Sequence, residues 1–285
     1  MKRPKLAQTL KIIAEQGSEA CVLQSRCSTH PLQDVDRFVP YLPSQTIRRS
    51  VVESCRSCTR IRVGTSIGFV IEAVLFDFGG VVTTSPFDAF ARYEEANDLP
   101  VGLIRSINAT NPDDNAWAHL ERSDVDTDGF VSMFEAEAAQ RGHVLDGHLV
   151  LSLVGGEVRP QMVAAIAAIK GAGFRTACVT NNFRSGGGHA ADGVGAGNGR
   201  TSTADVMAMF DEVIESSVIG VRKPELEFYR RALTVLGIEA HQAVYLDDLG
   251  VNLKPAKAMG MTTIKVLDPD QALAELGAVL GLALT

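Results

Sequence analysis

A carboxylate placed directly after a buried apolar run is the residue in this chain most suited to chemistry. Asp77 follows the run Phe69–Phe76 and precedes Gly79 and Gly80. A run of apolar and β-branched residues is typical of a strand that is buried on both faces of a parallel sheet. Burying a carboxylate is unfavourable unless a metal ion or a substrate uses it. Because glycine lets the backbone turn sharply near a bound group, the pattern predicts a ligand site at Asp77.

Further polar clusters follow apolar runs or precede helices later in the chain. Three carboxylates, one ammonium and one hydroxyl are expected at one edge of the sheet. Carboxylates this close repel one another unless cations offset them, and Mg²⁺ prefers one or two carboxylates with substrate oxygens and water. A lysine and a threonine there suit a phosphate group, so the set fits phosphoryl transfer. Besides Asp77, its members are Thr180 with Asn181, Lys223, and Asp247 with Asp248.

Each cluster also has an ordinary structural explanation. Asp77 would cap a turn, Thr180 would lie in a simple turn, and Lys223 would begin an exposed helix. Asp247 with its neighbour would cap the helix predicted at Asn252. These explanations are independent of one another, whereas a shared site requires all the clusters to agree in order and in predicted placement. That agreement favours one shared site.

The segments that must position these residues alternate between strand and helix from residue 157 onward. This rhythm predicts an α/β fold with a parallel sheet and right-handed crossovers. Residues 85–156 contain only helical segments separated by Asn, Asp and Pro, which predicts an inserted all-helical cap. The predicted domains are an extension at 1–65, a core at 66–84 and 157–285, and the cap at 85–156.

Composition restricts the partners of the chain. No apolar run among its 285 residues approaches the roughly 20 needed to span a bilayer, so no membrane partner is expected. Residues 1–62 hold 11 Lys/Arg against 5 Asp/Glu, whereas the remainder holds 16 against 29. An acidic body argues against nucleic acid as a partner. The sequence indicates no oligomeric state.

The first 65 residues show no clear pattern beyond a short helical segment, Leu6–Gln16. We expect no secretory signal in them, because no apolar segment precedes a cleavage site, and we interpret them as a poorly ordered extension or as a mis-assigned start. Cys55 and Cys58 would form half of a zinc or redox site, but no second half accompanies them. Unpaired thiols in a reducing compartment are the simpler interpretation, and they predict a cytoplasmic protein.

Two other patterns have competing interpretations. Seven of the fourteen residues in Gly186–Gly199 are glycine, but no Lys-Ser/Thr pair follows them, so we expect a flexible insert and not a phosphate-binding loop. The run from Asp124 to Glu135 matches the EF-hand pattern between two predicted helices, which suggests Ca²⁺ binding. The alternative is an acidic corner between helices, since no second copy of the pattern is present.

The order of Asp77, Thr180, Lys223 and the Asp247-Asp248 pair resembles the four motifs of the haloacid dehalogenase (HAD) superfamily. The resemblance covers about residues 69–267, and the run from Tyr245 to Ala256 is its most specific part. It implies a Rossmann-like core with a parallel sheet and a small inserted helical cap.

The resemblance also implies an activity and roles for the site residues. The chain is expected to be a Mg²⁺-dependent hydrolase that acts on a small phosphorylated metabolite. Asp77 would be the nucleophile that forms an aspartyl-phosphate, with the metal ion held by Asp77, the backbone carbonyl of Gly79, and Asp248. Asp247 would act in catalysis or beside the metal. The catalytic set would be Asp77, Thr180, Lys223 and Asp247, and the substrate-binding set Phe78, Gly79, Thr180, Asn181 and Lys223.

Position 79 departs from the family pattern. Phosphatases of the superfamily usually carry a second Asp there as general acid and base, and losing such a group typically costs about 10²–10⁴-fold in rate. The dehalogenase branch usually has an aromatic residue at that position, so Gly79 with the Asp247-Asp248 pair favours a phosphatase. The alternatives are a catalytically weak or silent domain that binds a ligand or partner, and a carbon–halogen hydrolase that works without metal.

Overall fold

The computed structural model describes residues 70–185, 188–189 and 202–284. The predicted extension at 1–65, with its cysteines, lies outside these residues, and so does most of Gly186–Gly199. Among the described residues, no helix has both the length and the apolar character needed to cross a bilayer.

The described residues contain seven strands, which are β1 Ala73–Phe76, β2 Arg175–Thr180, β3 Arg184–Ser185, β4 Gly188–His189, β5 Glu212–Glu215, β6 Ala243–Asp247 and β7 Thr262–Lys265. Five of them form the central parallel sheet, in the order β5-β2-β1-β6-β7. The first strand therefore lies in the middle of the sheet, with β2 and β6 on either side. The other two, β3 and β4, pair as a short antiparallel hairpin after β2.

Helices cover both faces of the sheet, which explains why β1 is apolar throughout. Val74 and Phe76 point into one buried cluster, and Ala73 and Leu75 point into another on the opposite face. The α-helices that follow residue 157 are α6 Pro160–Gly171, α7 Thr203–Met207, α8 Ser216–Ile219, α9 Leu226–Leu236, α10 Gly250–Met259 and α11 Pro269–Leu280. The first cluster includes residues of α6, α7 and α11, and the second includes residues of α9 and α10.

Five helices and no strand occupy the chain between β1 and α6, and we call residues 86–152 the helical insert. They form a separate apolar cluster in which the Trp117 and Phe130 ring centroids are 4.8 Å apart and those of Phe130 and Phe134 are 5.4 Å apart. An α/β core with an inserted helical cap is thus confirmed, while the predicted domain boundaries stay predictions. The five helices are α1 Pro86–Ala96, α2 Leu103–Asn108, α3 Ala116–Arg122, α4 Thr127–Ala139 and α5 Gly147–Ser152.

The chain enters and leaves the helical insert through two paired segments. Thr83 and Val158 form an antiparallel bridge, and the Thr84 amide donates to the Glu157 carbonyl at 2.8 Å. Gly156 lies so close to the entering segment that a Cβ there would stand 2.4 Å from the Thr84 carbonyl oxygen. The two segments are therefore packed backbone to backbone at the neck of the insert.

The EF-hand hypothesis is wrong, because the matching residues build a helix start. Asp126 caps α4 by accepting a hydrogen bond from the Gly129 amide at 2.9 Å. Glu135 lies within that helix, and its carboxylate accepts from the Gly147 amide at 3.1 Å. An EF-hand loop must instead wrap its ligands around one ion. Among the described residues, the only three carboxylates close enough to share an ion lie elsewhere.

Candidate active site

Asp77 lies directly beyond β1, where the strand passes into a tight turn at Phe78–Val82. Its backbone amide donates to the Leu246 carbonyl of the neighbouring strand at 2.9 Å, which fixes the chain at the sheet edge. One carboxylate oxygen, Oδ1, accepts from the Phe78 amide at 2.7 Å. In the part of the chain that the structure describes, Oδ2 accepts no hydrogen bond. One oxygen is thus held in place while the other is left for a ligand.

The turn after Asp77 depends on Gly80. This residue has φ of +79°, a left-handed conformation that side chains disfavour. A Cβ at this position would lie 2.4 Å from Oδ2 of Asp248, which is too close for any real contact. Glycine therefore allows the Asp248 carboxylate to approach the turn and face Asp77.

Lys223 is the cation of the site, and its side chain is almost completely buried. Its Nζ lies 2.7 Å from Oδ1 of Asp77 and 3.0 Å from Oδ2 of Asp247. Burial alone would lower the pKa of Lys223, but the charges of Asp247 and Asp77 outweigh it and raise the pKa above its usual value. The ammonium is therefore fully charged at neutral pH.

Asp247 is surrounded by hydrogen-bond donors. Its Oδ1 accepts from the Leu249 amide at 2.7 Å, and both of its oxygens accept from Nδ2 of Asn252, at 3.2 and 3.1 Å. Its Oδ2 also accepts from the Tyr245 hydroxyl and from Lys223. A carboxylate offers about four lone-pair sites, so these five contacts occupy all of them. These contacts suit a role in positioning Lys223 more than a role in attacking the substrate.

One carboxylate oxygen from each of Asp77, Asp247 and Asp248 lies within 4.8 Å of the other two. Burial, together with the other two carboxylates, raises the pKa of Asp77 well above its usual value, although Lys223 opposes this. Burial and the charge of Asp247 raise the pKa of Asp248 to about 6. A single ammonium does not balance three acids, and hard oxygen ligands at this spacing are what Mg²⁺ binds. The Asp77 and Asp248 carboxylates, which have fewer contacts than Asp247, therefore fit a divalent cation.

Thr180 ends β2, the strand that pairs with β1, and its hydroxyl is 3.5 Å from the Asn181 carbonyl oxygen, a weak contact that leaves it able to donate elsewhere. Asn181 contacts the lysine segment through its side chain. Its Oδ1 accepts from the Lys223 amide at 2.8 Å, and its Nδ2 donates to the Lys223 carbonyl at 3.0 Å and to Glu121 at 2.9 Å. Both hydrogens of the side-chain amide are thus used within the protein, and phosphate binding by Asn181 stays a prediction.

Gly79 has ordinary backbone angles and room beside it. Its φ is −66°, and a Cβ at this position would have only the Cδ atom of Pro86 nearby, at 4.0 Å. Position 79 therefore has both the backbone angles and the space for a side chain.

Several residues that hold the site were not singled out as functional by the sequence. Tyr245 and Asn252 orient Asp247, and Glu121 of the helical insert reaches Asn181. Arg159 Nη1 donates to the Gly80 carbonyl at 2.8 Å and so holds the turn after Asp77. The first two lie in the specific Tyr245–Ala256 run, which was a usable signal, whereas nothing in the local sequence marks Glu121 or Arg159.

Comparison with known proteins gives one family and several partial relatives. A model of the haloacid dehalogenase-like hydrolase family matches residues 71–260. The chain is 32% identical to mouse acyl-CoA dehydrogenase family member 10, over 75% of this chain and 19% of that protein. It is 29% identical to pig bifunctional epoxide hydrolase 2, over 75% of this chain and 40% of that protein. A shorter match, 42% identical over 59 residues, is to the glyceraldehyde 3-phosphate phosphatase of Methanocaldococcus jannaschii, covering 20% of this chain and 26% of that protein. The chain thus matches less than half the length of each relative.

Proposed function

The chain belongs to the haloacid dehalogenase-like hydrolase family, and from this premise we propose that it is a Mg²⁺-dependent phosphatase of a small phosphorylated metabolite. The observation that carries the proposal is the contact of Asp77 with Lys223 at the edge of the three-carboxylate group. The relative from Methanocaldococcus is named as the phosphatase of a small phosphorylated sugar, which supports the substrate class.

Asp77 is the nucleophile in this proposal. Its Oδ2 attacks the phosphorus of a phosphate monoester, the bond from phosphorus to the ester oxygen breaks, and an aspartyl-phosphate forms. Water then attacks phosphorus, which releases inorganic phosphate and restores the carboxylate. The Phe78 amide and Lys223 hold Oδ1, so the attacking oxygen is oriented without being blocked.

Lys223 and Thr180 bind the phosphoryl group. The buried ammonium offsets the negative charge of the equatorial oxygens, and the threonine hydroxyl donates to one of them. Asp247 keeps Lys223 charged and in place through the 3.0 Å ion pair. Asn181 holds the Lys223 backbone, so its effect on the substrate passes through the lysine.

Asp77, the backbone carbonyl of Gly79, and Asp248 would hold Mg²⁺. When bound, the ion neutralises phosphoryl charge and favours the ionised form of the carboxylates whose pKa is raised in the protein alone. Since Gly79 offers no acid, the leaving oxygen takes its proton from solvent. We therefore expect faster turnover of substrates with good leaving groups.

The test is release of phosphate from p-nitrophenyl phosphate, followed by a panel of sugar, lipid and nucleotide phosphates. We expect turnover that Mg²⁺ stimulates and EDTA abolishes. Asp77→Asn should lower the rate by at least about 1,000-fold while the folded protein persists, because the variant lacks the nucleophile. A wild type that releases no phosphate with Mg²⁺ from any substrate contradicts the proposal.

Gly79 motivates a second candidate, a catalytically silent domain that binds a ligand or a partner. Beryllofluoride with Mg²⁺ separates the two, because it mimics a phosphoryl group on an aspartate and binds only a competent carboxylate and metal site. Mg²⁺-dependent stabilisation by beryllofluoride supports the phosphatase, and its absence supports the silent domain.

A further inference from the structure

Three consecutive residues at the end of α3 contact the core of the protein across the edge of the helical insert. Glu121 pairs with Arg222, Arg122 Nε lies 2.8 Å from Oε1 of Glu225, and the Ser123 hydroxyl donates to the Ser217 carbonyl at 2.9 Å. The Glu121 and Arg222 side chains are only 15% and 14% exposed, so their charges are held largely out of water.

Glu121 has a second contact that leads directly to the site. Its Oε2 accepts from Nδ2 of Asn181 at 2.9 Å, besides pairing with Arg222. Asn181 binds both the amide and the carbonyl of Lys223, at 2.8 and 3.0 Å. Glu121, Asn181 and the Lys223 backbone thus form one continuous chain of hydrogen bonds, and Lys223 Nζ at its end contacts Asp77.

The chemistry of the amide makes this arrangement specific. Asn181 Nδ2 has two hydrogens, and the Lys223 carbonyl and Glu121 use one each. A carboxylate acceptor gives a stronger hydrogen bond than a neutral one and fixes which way the amide faces. With Nδ2 fixed in this way, Oδ1 of Asn181 is directed at the Lys223 amide.

We propose that Glu121 is a positioning residue for Lys223: acting through Asn181, it fixes the lysine beside Asp77 only while the helical insert is docked on the core. The inference deepens the proposed function and rests on it for its effect on turnover. It gives the insert a part in catalysis, because Asp77 and Asp247 of the core hold the Lys223 ammonium while Glu121 of the insert acts on the Lys223 backbone through Asn181. Phe183 lies two residues after Asn181 and packs in the apolar cluster of the insert, which strengthens the docking.

The experiment compares Glu121→Met with Arg122→Met in the full chain. Methionine nearly preserves the length of the glutamate side chain and keeps much of the aliphatic part of arginine, but it carries no charge, so each variant removes one ion pair between insert and core. Only the first breaks the contact with Asn181. Glu121→Gln restores an acceptor without charge. If Glu121→Met does not fold, Glu121→Ala takes its place. The readouts are kcat and KM for p-nitrophenyl phosphate and hydrogen exchange of the Lys223 amide.

We expect Glu121→Met to lower kcat about tenfold with little change in KM, and to speed exchange of the Lys223 amide about tenfold, the size of effect that follows from losing one charge-assisted hydrogen bond. Arg122→Met should stay within about twofold of wild type in both, and Glu121→Gln should recover most of the loss. Equal effects of the two methionine variants, or unchanged exchange in Glu121→Met, overturn the inference. If the wild type has no phosphatase activity, the proposed function fails, and the exchange data alone decide whether Glu121 positions Lys223.

Discussion

At the scale of single residues, the site contains more negative charge than its one lysine balances. Asp248 illustrates this, because burial and Asp247 raise its pKa to about 6. An acid with a raised pKa in the folded state binds its proton more tightly there than in the unfolded chain. Its ionisation therefore removes stability as pH rises from about 4 through 6, and the loss is complete at pH 8.

Asp248→Asn should consequently raise the stability of the metal-free protein at pH 8. The gain is about 1–3 kcal/mol in the free energy of unfolding, since one pKa unit corresponds to about 1.4 kcal/mol. It should vanish at pH 4, where the wild-type group is protonated. Urea unfolding in EDTA at both pH values measures this difference.

If Asp248 is a ligand, adding Mg²⁺ should make the wild type more stable than Asp248→Asn, the reverse of their order without metal. The ion raises the melting temperature of the wild type at pH 8, because it binds the folded state. Asp248→Asn should show little or no rise. An equal shift in both proteins would remove Asp248 from the proposed metal site.

A substitution at Gly79 should increase activity, because it would supply the general acid that the site lacks. Its backbone angles suit any residue, and a side chain there meets open space. Gly79→Asp should raise turnover of alkyl phosphates, whose leaving group needs a proton, by about tenfold or more, and that of aryl phosphates by much less. Gly79→Asn, which has the same shape but no acidic proton, is the control. Equal rates for the two variants would show that position 79 does not reach the leaving group.

At the scale of elements, the neck of the helical insert depends on the close approach of two backbone segments. Gly156→Ala should destabilise the protein by more than about 1 kcal/mol, because its Cβ would overlap the Thr84 carbonyl. Gly171→Ala is the matched control. Gly171 ends α6, nothing lies within 4 Å of its Cβ position, and alanine favours helix there. Urea unfolding of both variants measures the difference. A Gly156→Ala protein as stable as the control would mean that the neck is not tightly packed.

The sequence predicted elements well where one period dominated. The short apolar run before Asp247 predicts a strand at Ala243–Asp247, and β6 has these bounds because a carboxylate that is used structurally ends the run. The four-residue helix α8 was missed, since one turn leaves no periodic signal. The EF-hand pattern misled because an Asp cap followed by an acidic first turn contains the same spacing of acids as a Ca²⁺ loop.

At the scale of the whole molecule, parallel pairing brought the predicted residues together. Register places Phe76 beside Leu246 on one side and Cys178 on the other, so Asp77 lies next to Asp247 and near Thr180. The sequence predicts that these residues meet, because the carboxyl ends of parallel strands lie at the same edge of the sheet. It does not predict contacts that depend on how the helical insert docks, such as that of Glu121 with Arg222, because no periodic pattern links residues 101 positions apart.

The most direct test of Asp77 as the nucleophile is chemical trapping of its acylphosphate. The wild type is mixed with Mg²⁺ and its best substrate and quenched with borohydride, which reduces a phosphorylated aspartate to homoserine, and the peptides are analysed by mass spectrometry. We predict homoserine at position 77 alone, dependent on both Mg²⁺ and substrate. Turnover that leaves Asp77 unmodified, or modification of Asp247 or Asp248 in its place, would contradict the account.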